Sequence, residues 1–192
     1  MRIARNLAGL VIASVLFAGA AQAQGNPQTR QGFGISFGLG AGSAGLDCEV
    51  CGDDRETGLS GYLRLGGYLR PNLFLAAESN GFTKSEDGVD GTTGFLGGVV
   101  LLYPQPATGL FVKGGLGIAT AALEDAEDEI TSAGMGITIG GGYDFRVGRN
   151  FSLTPYVNYI HGFGAEAKAN GVSTDFDFNM NLFQIGLGFT WH

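Results

Sequence analysis

Two charged residues in the first half of the chain have the spacing of a cross-strand ion pair. Arg64 and Glu78 are equally distant from Pro71, the centre of the short segment "RPN". A hairpin that turns at Pro71 places their side chains directly opposite each other on one face of a sheet. Lys113 and Asp144 occupy the equivalent face of two later segments, so the sequence predicts that they join Arg64 and Glu78 in a buried network.

Gln184 lies on the same face of the last segment and completes this predicted lumen network. Two roles fit it. In the first, paired charges plug a narrow interior and stabilise it, because opposite charges attract more strongly in a dry environment. In the second, the same residues form a gated polar or proton path. Residue types alone leave both roles open.

Few other groups in the chain have the chemistry of a catalytic or metal site. The sequence contains two histidines, His161 and the terminal His192, and no spacing joins either of them to a serine and an acid. A catalytic triad is therefore poorly supported. We predict no catalytic residue, no cofactor and no metal site.

The first 23 residues have the pattern of a secretory signal peptide. Arg2 and Arg5 precede an apolar run from Leu7 to Ala18, and Ala21-Gln22-Ala23 has the small-x-small form of a cleavage site. The run is too short for a membrane-spanning helix, which needs ~20 residues. We predict export and cleavage after Ala23, which leaves one domain over residues 24–192.

Export bears on the two cysteines, Cys48 and Cys51, in "DCEVCGDD". In an oxidising compartment this spacing favours a small disulfide in a loop. Zinc would require further ligands, and the sequence has no second CxxC. A thioredoxin-like site would require a βαβ context that the pattern does not provide.

Eight segments alternate with a period of two, which is typical of β-strands. They are Gly32–Gly42, Thr57–Leu69, Leu73–Phe82, Thr92–Tyr103, Leu110–Ala121, Thr131–Phe145, Phe151–Ile160 and Phe178–Trp191. Short connections (70–72, 104–109, 146–150) alternate with longer, acidic ones (43–56, 83–91, 122–130, 161–177). The pattern predicts an antiparallel meander with both termini at the short-turn end.

The two faces of these segments differ in composition, and this difference indicates which face contacts lipid. The charged residues within the segments fall on a face rich in glycine, serine and threonine, and the opposite face is apolar. A soluble sheet would expose many lysines and glutamates, whereas here only 15% of all residues are charged. We infer that the apolar face contacts lipid and that the glycine-rich face lines a narrow interior.

Lipid contact requires a closed sheet, because unpaired backbone groups in hydrocarbon cost several kcal/mol each. Each segment is long enough to cross a membrane as a tilted strand, which takes ~9–11 residues. We predict an aromatic girdle of Tyr103, Tyr143, Phe145, Phe151 and Trp191 at the short-turn end, with Phe95 and Tyr159 at the other. Pro155 predicts a bulge in the seventh segment.

With these features the chain resembles the small eight-stranded outer-membrane β-barrels of Gram-negative bacteria, the class that includes the OmpA membrane domain, OmpX and OmpW. The resemblance covers the whole mature chain and includes "GLFVKGGLG", "GYDFRVGRNFSLTPYVNY" and the closing "QIGLGFTWH". It implies an all-β, eight-stranded, antiparallel, up-and-down transmembrane barrel. It also implies that Phe189 and Trp191 carry the C-terminal signal that the barrel assembly machinery reads.

The resemblance implies a protein of the bacterial outer membrane, with periplasmic termini and extracellular acidic loops. We expect a monomer that contacts lipid and lipopolysaccharide, in a non-enzymatic structural or surface-interaction role. The alternatives are porin-like passage of small or apolar molecules and, less well supported, modification of lipid A. Lipid A deacylases of this size carry an H-x-S pair, and here Phe163 stands where the serine after His161 should be.

The acidic runs at 53–54, 86–87 and 124–128 have two interpretations. They are either a solvated surface or carboxylate sites for divalent cations that bridge to anionic lipopolysaccharide. A formal net charge of −7 makes nucleic acid an unsuitable partner.

Overall fold

The structure is a computed structural model that describes residues 30–47, 55–86, 89–124, 129–169 and 172–192. Its strands are β1 (Gly32–Asp47), β2 (Arg55–Arg70), β3 (Leu73–Glu86), β4 (Val89–Leu102), β5 (Leu110–Glu124), β6 (Glu129–Tyr143), β7 (Phe145–Arg146), β8 (Phe151–Ala169) and β9 (Val172–Trp191). None of the described residues forms a helix that could span a membrane.

The strands form one closed ring. Strands β1 to β6 pair antiparallel with their neighbours in sequence, as β7 to β9 do, and β1 also pairs with β9. The short β7 continues β6, and both pair with β8, so the ring contains eight strand positions. This confirms the predicted eight-stranded antiparallel barrel. Closure leaves no unpaired edge, which is the requirement for a sheet in hydrocarbon.

Side chains alternate between the outside and the interior, as the period of two requires. The outward face is apolar and exposed on every side of the ring, for example Leu39 at 66% and Leu116 at 66%. Exposed charged side chains of the described strands lie at strand ends, and they are Arg55, Glu56, Arg70 and Asp90. The apolar belt is the expected surface of a barrel that lies in lipid.

The strands are longer than the sequence predicts at the end opposite the short turns. Apart from β7 they contain 14 to 20 residues, and β8 and β9 continue through most of the predicted loop 161–177. The prediction was too short because segments without an apolar face have the composition of loops. Backbone pairing continues beyond the apolar part of each strand, because the pairing nearer the short turns has already aligned the two strands.

Pro155 lies in β8 without the predicted bulge. The pairing of β8 with β9 is regular at Pro155, and the irregularity lies higher, between Gly162 and Ala165. On its other side Pro155 faces the interruption between β6 and β7 at Asp144. Proline has no N–H to donate, so the missing ladder bond is accommodated by a break in the partner strand.

The aromatic girdle is partly as predicted. Trp191 and Tyr159 are exposed on the outward face, whereas Tyr103 and Phe95 are 1% and 2% exposed and point inward. The error arises because β4 is apolar on both faces, so its alternation does not indicate which face lies inside. The predicted cleavage residues Ala21 and Ala23, the two cysteines Cys48 and Cys51, and most of the acidic runs lie outside the described residues.

Candidate functional site: the barrel interior

The interior is the part of the barrel where charged side chains collect. Three layers fill it, and we name them the basal layer (at the short turns), the middle layer and the upper layer. The register of the strands sets their order, because inward residues at similar distances from the short turns share a level. Each layer closes the lumen with different chemistry.

The middle layer is built around the buried carboxylate of Glu78. Arg64 lies opposite Glu78 in the β2–β3 register and donates from Nε to Oε2 at 2.6 Å. Lys113 Nζ lies 2.5 Å from Oε1, and Asn80 Nδ2 donates to the same oxygen at 2.8 Å. The Arg64 guanidinium also lies 4.7 Å from the ring centroid of Tyr62. One anion is thereby held between two cations that are both buried.

Gln184 joins the middle layer through the side-chain amides of Asn158 and Asn80. Asn158 Nδ2 donates to Gln184 Oε1 at 3.3 Å and to Asn80 Oδ1 at 3.4 Å. Gln184 Nε2 donates to the Gly81 carbonyl oxygen at 3.2 Å. The amide chain therefore connects β9 to β3 across the lumen.

Asp144 lies in the basal layer, and a chain of hydroxyl groups on Thr154, Thr190, Ser36 and Tyr62 connects it to the middle layer. Tyr103 donates to its Oδ2 at 3.0 Å and Thr154 to its Oδ1 at 2.8 Å. Arg30 Nη2 lies 3.8 Å from Oδ2. Asp144 is at the foot of β6, below the level of Glu78. Burial raises the pKa of Asp144, and the Thr154 hydrogen bond opposes this rise.

Arg30 closes the base from a position just before β1. Its guanidinium donates to the carbonyl oxygens of Pro106 and Thr108, both at 2.8 Å, and lies 3.8 Å from the ring centroid of Tyr103. The side chain is 1% exposed. Gly32, two residues later, has φ of +76°, a conformation that favours glycine. Arg30 therefore connects the residues just before β1 to the β4–β5 turn.

His192 closes the base from the other terminus. Its Nδ1 lies 2.7 Å from the Tyr68 hydroxyl and its Nε2 lies 2.9 Å from the Ser152 hydroxyl. Burial, together with Arg146 and Arg30, lowers the pKa of His192 to about 3. The ring is therefore neutral near pH 7, with one nitrogen as donor and the other as acceptor.

The upper layer is apolar. It consists of buried side chains from five strands, and they are Phe82, Phe95, Ala119, Ile160, Met180 and Leu182. Inward glycines make room for it: a Cβ at Gly136 would lie 3.0 Å from the Ala119 Cβ, and one at Gly42 would lie 2.7 Å from the Phe82 ring. None of these six side chains is polar, and the nearest hydroxyl at this level is that of Ser60, opposite Phe82.

Glycine also allows neighbouring strands to approach each other closely. Gly97 and Gly117 are paired across β4 and β5, on the inward face. An ideal Cβ at Gly117 would lie 2.2 Å from the Leu96 carbonyl oxygen, and one at Gly97 would lie 2.3 Å from the Leu116 carbonyl oxygen. No side chain fits at either distance, so both positions require glycine.

The sequence reasoning missed Arg30 and His192. Arg30 precedes the first predicted segment and His192 follows the last, so neither was assigned to a face. Extending the alternation by a few residues would have found both: Arg30 has the parity of buried Ser36, and His192 has that of buried Gln184 and Thr190.

His161, the enzymatic candidate, lies on the outward face of β8. Its Nδ1 is 2.7 Å from Asn181 Oδ1, which also accepts a hydrogen bond from Tyr159 at 2.6 Å. Phe163 stacks on the His161 ring with centroids 6.0 Å apart. The partners of His161 are therefore an amide and a phenyl ring, and neither is a nucleophile of the triad type. The described residues contain no group of acids, histidines and cysteines that could hold a metal ion.

No protein-family model and no curated protein sequence matches the chain. Solved structures do resemble it. Neisserial surface protein A superposes with a TM-score of 0.61 at 14% identity, over 85% of this chain and 98% of that one. The attachment invasion locus protein Ail of Yersinia pestis gives 0.51 at 12%, over 85% and 100%. The outer membrane protein OprG of Pseudomonas aeruginosa gives 0.50 at 13%, over 87% and 100%. The chain therefore has the fold of small eight-stranded outer-membrane barrels.

Proposed function

From this shared fold and the apolar exterior, we propose that the chain is an integral β-barrel of the bacterial outer membrane with a non-enzymatic, structural or surface-interaction role. The observation that supports this role best is the filled interior. Three successive layers close the lumen: Arg30 with His192, then Glu78 with its two cations, then the apolar layer around Phe95. An eight-stranded barrel is just wide enough for its side chains to fill.

The proposed topology has both termini in the periplasm and the longer connections outside the cell. Arg30 and His192 lie at the end of the short turns, and the strands extend farthest at the opposite end. Phe189 and Trp191 are exposed on the outward face of the last strand, where the assembly machinery could read them. A closed ring without a free edge favours a monomer.

Conductance in a planar bilayer tests the filled interior. We expect no single-channel current from the refolded protein, and none from Arg64→Ala, because the upper apolar layer remains closed above the middle layer. A current from the unaltered protein would contradict the proposal. Heat-dependent mobility on a detergent gel is the control, since it reports a folded barrel in both samples.

A second candidate function is passage of small or apolar molecules. Its support is a set of three lumenal hydroxyls without a hydrogen-bond partner among the described residues, on Ser60, Thr138 and Tyr156. Buried hydroxyls of this kind need water, so the lumen admits small molecules at some level. Swelling of proteoliposomes in small solutes would favour this candidate over the first.

Enzymatic modification of lipid A has weaker support, since the partners of His161 are Asn181 and Phe163. The lipid A of cells that express the protein should keep its mass. A mass change that disappears with His161→Ala would instead establish an enzyme.

A further inference from the structure

The lipid-facing surface has a groove on its β1–β3 side. Gly61 and Gly81 are paired across β2 and β3 and both face outward. The space above them measures about 500 Å³ and is bordered by Leu39, Leu59 and Leu63. This volume is within the ~300–1,000 Å³ of ordinary small-molecule sites. Large apolar side chains, Leu39, Leu59 and Leu63, surround this pair of glycines.

Gly81 is the floor of this groove, and it is open. A Cβ built on Gly81 meets no atom within 4 Å, and its φ lies outside the range that favours glycine. A larger side chain therefore fits there without strain in the barrel. The absence of a side chain at Gly81 is consequently a property of the outer surface and has no packing reason inside.

The shape of the groove indicates a flexible chain as its occupant. Leu39 and Leu59 stand on either side at 66% and 59% exposure, so a flat protein surface would contact these ridges before it reached the floor. An unfilled groove would lose dispersion contacts along its walls. A hydrocarbon chain of a membrane lipid can enter the groove and restore them.

A cation lies above the groove on the same face of β2. Arg55 is six residues before Gly61, and it is exposed. Its Nε and Nη2 donate to the Ser43 hydroxyl at 3.1 Å and the Ser43 carbonyl oxygen at 2.7 Å, which orients the guanidinium along the outer wall. Within the described ranges no carboxylate forms an ion pair with Arg55.

The separation of these two features matches one leaflet. Six strand residues span about 20 Å along the strand, and a tilt of ~35–45° reduces this to a rise of roughly 15 Å. That rise is about half of the ~30 Å hydrocarbon core. A lipid whose headgroup meets Arg55 would therefore lay an acyl chain down to Gly61 and Gly81.

We propose that Arg55 and the Gly61–Gly81 groove form a binding site for one phosphorylated glycolipid of the outer leaflet, the lipid A part of lipopolysaccharide. Arg55 binds a phosphate, and the groove takes one acyl chain. The site rests on the proposed outer-membrane location, which puts the Arg55 end of the barrel in the leaflet that holds this lipid.

Native mass spectrometry of the refolded full-length protein tests the site, with lipid A, phosphatidylglycerol and phosphatidylethanolamine as probes. We expect a retained one-to-one complex with lipid A. Gly81→Leu fills the groove and should lower the bound fraction about tenfold, because it displaces several methylene groups. Gly98→Leu is the matched control: Gly98 also faces outward on β4 with nothing within 4 Å of its Cβ, and it lies outside the groove.

Arg55→Gln tests the headgroup contact. It should lower lipid A binding about fivefold and leave phosphatidylethanolamine unchanged. Equal loss from Gly81→Leu and Gly98→Leu, or equal binding of all three lipids, would overturn the site. Heat-dependent mobility on a gel is measured on the same samples. Folded barrels that bind lipid A without these differences contradict only the site, whereas a chain that stays folded and soluble without detergent contradicts the proposed location.

Discussion

Arg64 and Glu78 meet across one antiparallel strand pair with their charged atoms 2.6 Å apart, and Lys113 reaches the second oxygen of the same carboxylate. The three side chains are at most 5% exposed. Their arrangement is asymmetric, since one anion serves two cations. The consequences of removing each member should therefore differ.

Glu78→Ala should destabilise the barrel more than Lys113→Met. Loss of Glu78 leaves two buried cations without their anion, which costs about 3–5 kcal/mol. Loss of Lys113 leaves Glu78 paired with Arg64 and substitutes an apolar chain of similar length. Urea unfolding of the two variants in the same detergent measures the difference. Equal destabilisation would show that the two cations do not share Glu78.

His192 should make stability fall as the pH falls. Its pKa is about 3 in the folded barrel and ~6.5 in an unfolded chain, so between these values the unfolded state binds the extra proton. The stabilisation is present above pH 6.5 and is lost as the pH falls toward 3. Burial raises the pKa of Asp144, which has the opposite sign. Asp144 Oδ2 lies 3.8 Å from His192 Nε2, so the comparison with His192→Gln measures the histidine together with this contact.

The measurement is the unfolding midpoint of both proteins from pH 8 to pH 4. The difference between them should shrink on acidification by an amount on the order of a few kcal/mol. A constant difference would mean that the pKa of His192 is the same in the barrel as in the unfolded chain, as expected for an exposed ring.

Gly117→Ala should destabilise the barrel by ~1–3 kcal/mol, since its Cβ would overlap the Leu96 carbonyl oxygen. Gly98→Ala provides the control, because that Cβ lies in open space. The control should be neutral or stabilising by about 0.4–1 kcal/mol, through lower entropy of the unfolded chain. Thermal midpoints of gel mobility compare the two, and equal effects would contradict the close approach.

Arg30→Ala should loosen the base of the barrel without unfolding the wall. It removes two hydrogen bonds to the β4–β5 turn and a cation from the Tyr103 ring. Arg30→Lys keeps the charge and loses the two-pronged geometry, so it should rescue only in part. The rate of amide hydrogen exchange in residues 104–109 should be lowest in the wild type, higher in Arg30→Lys and highest in Arg30→Ala. Unchanged exchange would place Arg30 outside the base.

The fold was predictable from the sequence because two independent signals agree. The period of two gives the strands, and the confinement of charge to the glycine-rich face gives the side that faces lipid. The Arg64–Glu78 register was also predictable from their equal distance to Pro71, although the turn itself is Pro71–Asn72 with a register shift between Tyr68 and Arg70. Here the turn at Pro71 determines which residues of β2 and β3 form the ion pair.

Three features could not be read from the pattern. Tyr103 and Phe95 point inward on a strand that is apolar on both faces. Asp144 has the parity of the lumen network, yet its level along the barrel axis places it in the base. Arg30 has the parity of the inward residues of β1, yet nothing in the alternation indicates its contact with the β4–β5 turn. Periodicity specifies a face, and it does not specify depth or the route of a terminus.

The interruption at Asp144 has a consequence for how the wall holds together. Opposite Pro155, the ladder between β6–β7 and β8 omits two positions, and the carboxylate of Asp144 accepts a hydrogen bond from Thr154 across the gap. Along most of this strand pair, backbone N–H and carbonyl groups connect the two strands. At this interruption a side-chain hydrogen bond connects the two strands. A conservative Asp144→Asn exchange should therefore weaken the pairing between β6–β7 and β8.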